Sequence, residues 1–225
     1  MTAELIAHHA PVAAEPPALS AELFGALINL SGRRRFTSQR VVLYAVLASL
    51  GHDGAESTAR ATLAQLRDAH LTLVEGKGGM PGVFGQALHE AYFGDLQGDQ
   101  TVQAFIGLAG RALDAIAGDG VEAPQLLDQL VKSATPLLSV LNGLTLVYEE
   151  QANRYAQSRR MHLQQKLEQM ELLGRQARQL AFNAQVLAAR ASEEGRDFGA
   201  VAASMTAVTG ALDALVQDAL GRAPR

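Results

Sequence analysis

The sequence predicts an all-α protein, a four-helix bundle that continues into a long antiparallel helical hairpin of coiled-coil type. Three observations carry this expectation. Ala, Leu, Gln, Arg and Glu dominate outside a few glycine and proline clusters, which is the composition of long helices and not of sheets. Apolar residues recur at intervals of three and four, the helical period. Beyond Pro136 the chain runs to about Ser192 without another proline and with little glycine, enough for a helix of about 85 Å at ~1.5 Å per residue.

Residues 1–17 hold Pro11, Pro16 and Pro17 and read as a flexible tail. Ser20 then offers an N-cap, and Leu23, Leu27, Val41, Val42, Tyr44, Ala45 and Leu47 make a first helix that stops at Gly51. A second helix spans Ala55 to Val74 through Leu63, Leu66, Ala69 and Leu73, and ends at the glycine-rich stretch 76–82, expected to be a mobile loop. A short helix over Val83 to Tyr92 and a turn over 94–98 precede a third long helix, Thr101 to Ala117, with Val102, Phe105, Ile106 and Leu113 on its inner face. After Gly118-Asp119-Gly120 comes a minor helix carrying Leu126, Leu127, Leu130 and Val131. Thr135-Pro136, an N-cap with proline at the first helical position, predicts a break and the start of the long helix.

The far part of that helix carries a seam at alternating three and four: Leu167, Met170, Gly174, Ala177, Ala181, Ala184, Ala188 and Ala191. A turn near 192–197 leads into a return seam through Phe198, Val201, Met205, Val208, Leu212, Leu215 and Ala219. The predicted organisation is a tail over 1–17, a bundle over 18–155 and a hairpin over 156–221, with the long helix projecting beyond the bundle.

The 225 residues are 48% apolar, enough for a substantial core, so disorder is not expected. Lys+Arg 19 against Asp+Glu 23 leaves a net charge of -4, which argues against a nucleic-acid partner. The chain has no cysteine, so disulfides, thiol nucleophiles and common structural zinc sites are excluded. The first 17 residues lack a basic start before an apolar run, and no 18-residue window reads as apolar enough to span a bilayer. A soluble, cytoplasmic protein is expected, with no membrane partner.

The histidines are scattered without a carboxylate partner at helical spacing, so no metal and no cofactor are predicted. Lys77 among the glycines of 76–82 lacks the Gly-Lys-Ser/Thr ending of a phosphate loop. Glu149-Glu150 and Glu193-Glu194 read as solvated faces, and Tyr148 and Tyr155 as packing residues. No nucleophile, base and oxyanion set emerges, so the chain is not expected to be an enzyme.

Around the hairpin turn Gln176, Leu180, Ala181, Asn183, Ala184, Ala188-Ala189-Arg190-Ala191, Glu193, Gly195-Arg196, Phe198 and Val201-Ala202 stand in fixed order. This stretch resembles the signalling hairpin of methyl-accepting chemotaxis proteins, in a shortened and degenerate form. The resemblance implies a regulatory or chemotaxis partner at the tip, contacting Asn183, Arg190, Glu193, Arg196 and Phe198. Leu187 replaces the family's glutamate, and Arg175 and Gln179 replace apolar positions, so ordinary kinase activation is not expected. The return helix ends near Gly221, short of the segments that carry methylated glutamates in the family.

A second resemblance starts at Ile28-Asn29-Leu30-Ser31-Gly32-Arg33-Arg34-Arg35-Phe36-Thr37-Ser38-Gln39-Arg40, which is similar to a first-helix segment of PilJ and NarX-type sensor domains. Tyr92-Phe93-Gly94 and Asp99-Gln100-Thr101-Val102-Gln103-Ala104-Phe105 resemble their middle region. These domains are dimeric four-helix bundles, and the nitrate-sensing members bind the anion at the dimer interface. The resemblance implies a homodimer with Arg35 reading the anion at the interface and Gly32 allowing close approach, while Arg33 and Arg34 match variable positions. Ile28, Gly32, Arg35 and Gln39 also share one helical face by their spacing, and Ser31 completes the predicted ligand set. Substitution of Arg34 is expected to matter little.

Overall fold

A computed structural model describes residues 19–190 and 195–222. The chain is all-α: among the described residues there is no strand, and the helices are α1 (Ala21–Ser49), α2 (Ala55–Glu75), α3 (Gly85–Phe93), α4 (Gly98–Ala117), α5 (Ala123–Arg190) and α6 (Gly195–Arg222). It divides into two compact units, Met1–Asn153 and Arg154–Arg225.

In the first unit each helix starts or stops for a local reason. Ser20 caps α1, its Oγ accepting from the Leu23 N–H at 3.1 Å. Gly51 and Gly54 take positive φ in the connection to α2, a conformation costly for other residues. The glycine-rich stretch after α2 is a closed turn and not an open loop: the Val83 N–H donates to the Val74 carbonyl at 3.0 Å, and a Cβ on Gly76 would come within 2.7 Å of the Met80 carbonyl oxygen.

The core is built from Phe24, Leu27, Val41 and Ala45 of α1, Leu66 and Leu73 of α2, Leu88 and Tyr92 of α3, Val102, Phe105 and Leu113 of α4, and Leu130, Leu137, Leu141, Leu144 and Tyr148 of α5. The buried positions of α5 alternate at four and three straight through Pro136: Leu130, Ala134, Leu137, Leu141, Leu144, Tyr148. The break expected at Thr135-Pro136 is therefore absent, and the minor and long helices are one. Pro136 stands on the exposed side, where the lost N–H is the smaller term against burial of a continuous leucine stripe.

In the second unit the far part of α5 pairs with α6. Of the expected α5 seam Gly174 and Ala181 are buried and Met170 is exposed, while the buried face of α6 is Ala202, Thr209 and Val216, each one residue past the predicted Val201, Val208 and Leu215. One residue is a turn of about 100° around a helix, so Val201, Val208 and Leu215 point away while Ala202, Thr209 and Val216 face α5. Gln185 Nε2 donates across the pair to Thr206 Oγ1 at 3.3 Å.

Two stretches are long and apolar enough by composition to cross a membrane, one within α5 and the other Gly199–Val216. The expectation that no window reaches that level is corrected here.

Candidate functional site

α1 carries two faces that differ in chemistry. The inward face runs Leu27, Ser31, Arg34, Ser38, Val41, Ala45 at alternating four and three, all buried. Its middle is polar, and Arg34 is fully buried there. Arg34 Nη2 donates to Ser31 Oγ at 2.9 Å and Nη1 donates to His70 Nδ1 of α2 at 3.1 Å. Its guanidinium also lies over the Tyr92 ring of α3, 5.7 Å from the centroid, and its Nε has no hydrogen-bond partner among the described residues.

The cluster extends into the remaining helices. His70 Nε2 lies 2.9 Å from Asp99 Oδ1 in the first turn of α4. Ser31 Oγ meets Thr145 Oγ1 of α5 at 2.9 Å, and the hydroxyls of Tyr92 and Tyr148 meet at 3.2 Å. Burial, and then the neighbouring Arg34 cation, lower the His70 pKa to about 4 against the opposing pull of Asp99. Burial raises the Tyr148 phenol well above the usual range, with Tyr92 adding to it. The cluster is hard to see in the sequence because Arg34 matches a variable position of the resembled segment and because His70 and Asp99 are far apart in the chain. The legible signal was Ser31, Arg34 and Ser38 standing on the core stripe.

The outward face holds the other predicted ligand residues. Arg35 is exposed and its Nη1 donates to Asn142 Oδ1 of α5 at 3.2 Å. Gln39 Nε2 donates to the Ala134 carbonyl at 3.3 Å. Gly32 and Ile28 are half-buried, and a Cβ on Gly32 would lie 3.2 Å from Arg35 Nη2, so the missing side chain leaves room for the guanidinium. Ile28, Gly32, Arg35 and Gln39 thus share one face, whereas Ser31 is separated from them, its hydroxyl committed to Thr145 and Arg34. Arg34, expected to matter little, is instead fully buried and bonded to Ser31 and His70, so its substitution bears on the stability of the unit.

Beside Arg35 an apolar line runs along α1. Phe36, Leu43 and Leu50 are spaced by seven and are 59%, 55% and 69% exposed. With Gly25, Asn29, Gly32, Gln39 and Val46 they complete a seam at alternating four and three in which no residue is buried. On the hairpin, Leu173, Leu180 and Leu187 of α5 and Val201, Val208 and Leu215 of α6 form two further exposed lines at intervals of seven. Of the predicted tip residues, Asn183 and Arg190 are exposed on α5. Glu193 lies outside the described residues, and Arg196 and Phe198 belong to the first turn of α6 with side chains outside the description.

Comparison with protein-family models, with curated proteins and with solved structures finds no match to this chain.

Proposed function

We propose that the chain is a non-enzymatic, cytoplasmic signalling protein of PilJ/NarX type that works as a homodimer. Its N-terminal unit is a four-helix bundle of α1, α2, α4 and the first part of α5, with α3 as an extra piece. The outward face of α1 binds a small oxyanion, nitrate or nitrite, through Arg35. The bound state passes along α5 to a shortened chemoreceptor-like hairpin that engages a regulatory partner. No nucleic acid, membrane, cofactor or metal takes part.

The observation that carries this reading is the exposed seam on α1 with Arg35 beside it. Three large apolar side chains in a line leave apolar area in water at a cost of about 25 cal/mol per Å2, and a second copy of the same helix covers the line at its own spacing. In a parallel pair Arg35 then approaches its own copy. Two guanidinium charges about 6 Å apart repel by roughly 3 kcal/mol at an effective dielectric near 20. A planar oxyanion that accepts from both guanidinium groups reverses that term, which provides the difference in affinity between states that a sensor needs.

The alternative is a ligand-free structural adaptor that dimerises and binds its partner through the hairpin, and the outward leucine and valine lines of the hairpin favour it. Titration calorimetry with nitrate and with nitrite separates the two. The sensor reading expects a heat of binding that Arg35→Ala removes. Absence of binding at millimolar anion leaves the adaptor.

A further inference from the structure

The bonds that join Arg34, His70 and Asp99 have one permitted direction. A guanidinium only donates, so His70 Nδ1, 3.1 Å from Arg34 Nη1, accepts. The imidazole proton then sits on Nε2 and is donated to Asp99 Oδ1 at 2.9 Å. His70 is neutral in this arrangement, a bridge between a buried cation and a carboxylate at the rim whose side chain keeps 20% exposure. Gln103 Nε2 holds both oxygens of that carboxylate, at 3.0 and 2.8 Å.

We propose that Arg34, His70 and Asp99 form an acid-sensitive latch inside the N-terminal unit, which holds α1, α2 and α4 in register while His70 is neutral and releases them when its Nδ1 takes a proton.

The groups facing His70 come from every neighbouring helix: Arg34 from α1, the Tyr92 ring of α3 with centroids 6.2 Å apart, Asp99 from α4, and Tyr148 of α5 through its bond to Tyr92. A proton on Nδ1 leaves two N–H donors facing each other across the Arg34 contact with no acceptor between them. It also places a second cation beside Arg34 in the core, where charges are poorly screened. Asp99 offsets this on the outer side only. The direction follows: the folded-state value, about 4, lies below the ordinary 6.5, so the contribution of His70 is complete above pH 6.5 and is lost as pH falls towards 4.

The test is 15N NMR of the imidazoles with a pH titration, His70 being assigned by its loss in His70→Gln, beside urea unfolding of both proteins between pH 7.5 and 4. At neutral pH His70 should show the Nε2–H tautomer. Its titration midpoint should fall further in Asp99→Asn, which keeps an acceptor but removes the negative charge, and should rise in Arg34→Met. The folding equilibrium of the parent should drop by roughly 150-fold more than that of His70→Gln across this window. An imidazolium or Nδ1–H form at pH 7, or parallel acid dependence in parent and His70→Gln, overturns the latch. Should His70→Gln fail to fold, a set of imidazole midpoints that is the same in the parent, Asp99→Asn and Arg34→Met overturns it equally.

Discussion

Arg34 and Arg35 are neighbours in the chain and opposites in the fold: Arg34 is fully buried against His70 and Ser31, while Arg35 is exposed and reaches Asn142. One residue of helix turns a side chain by about 100°, which here is the distance from core to solvent. Substitutions at the two positions are therefore expected to have different consequences.

Arg34→Ala removes two hydrogen bonds and a fully buried side chain, and leaves Ser31 and His70 with unmet capacity. A loss of about 2–4 kcal/mol in unfolding free energy is expected from urea denaturation. Arg34→Lys retains the charge without the fork that serves both partners, and an intermediate loss of about 1–3 kcal/mol is expected. A change below ~0.5 kcal/mol for both would show that the buried cluster contributes nothing net.

Arg35→Ala gives up one exposed hydrogen bond, so stability should stay within about 0.5 kcal/mol of the parent. On the proposed function the same change abolishes calorimetric binding of nitrate or nitrite. Full-strength binding by the variant would exclude Arg35 as the reading residue.

Gly32→Ala separates stability from binding. The added Cβ meets only the mobile end of Arg35, at 3.2 Å, and alanine favours the helix by about 1 kcal/mol over glycine. The variant should be as stable as the parent or more so by thermal melting. It should also bind anion less tightly, because the guanidinium is displaced from its seat. Unchanged affinity would mean that the gap beside Arg35 is not used.

The exposed seam of α1 predicts a self-association that charge can break. Phe36→Glu combined with Leu43→Glu places carboxylates on a face that water already reaches in the single chain, so helix content by circular dichroism should persist. Light scattering should then report a smaller species than the parent at micromolar concentration. A parent that is already monomeric there would remove the dimer reading.

The register of the hairpin is open to a paired test. Ala202→Leu forces bulk into the buried face between α5 and α6 and should lower stability by about 1–3 kcal/mol. Val201→Ala, one position earlier and exposed, should change the stability of the isolated chain by less than about 1 kcal/mol. The opposite order would restore the seam expected from the sequence.

Periodicity and punctuation made the helical class and most helix limits legible: Ser20 is the N-cap of α1, α2 begins at Ala55, and α4 ends at Ala117. These are local matters of caps, glycines and apolar spacing, which a sequence states directly. The tertiary structure decided the rest. A proline marks a helix start only if nothing better is gained by continuing, and the stripe from Leu130 to Tyr148 made continuing better. A stretch with apolar residues at several helical phases, such as 198–219, has more than one seam of the right period, and only the partner helix selects the one that fits. The polar cluster was hidden for a related reason. Arg34, His70 and Asp99 lie on three different helices, and burial of a cation is settled by whether other helices bring it acceptors, which no local pattern records.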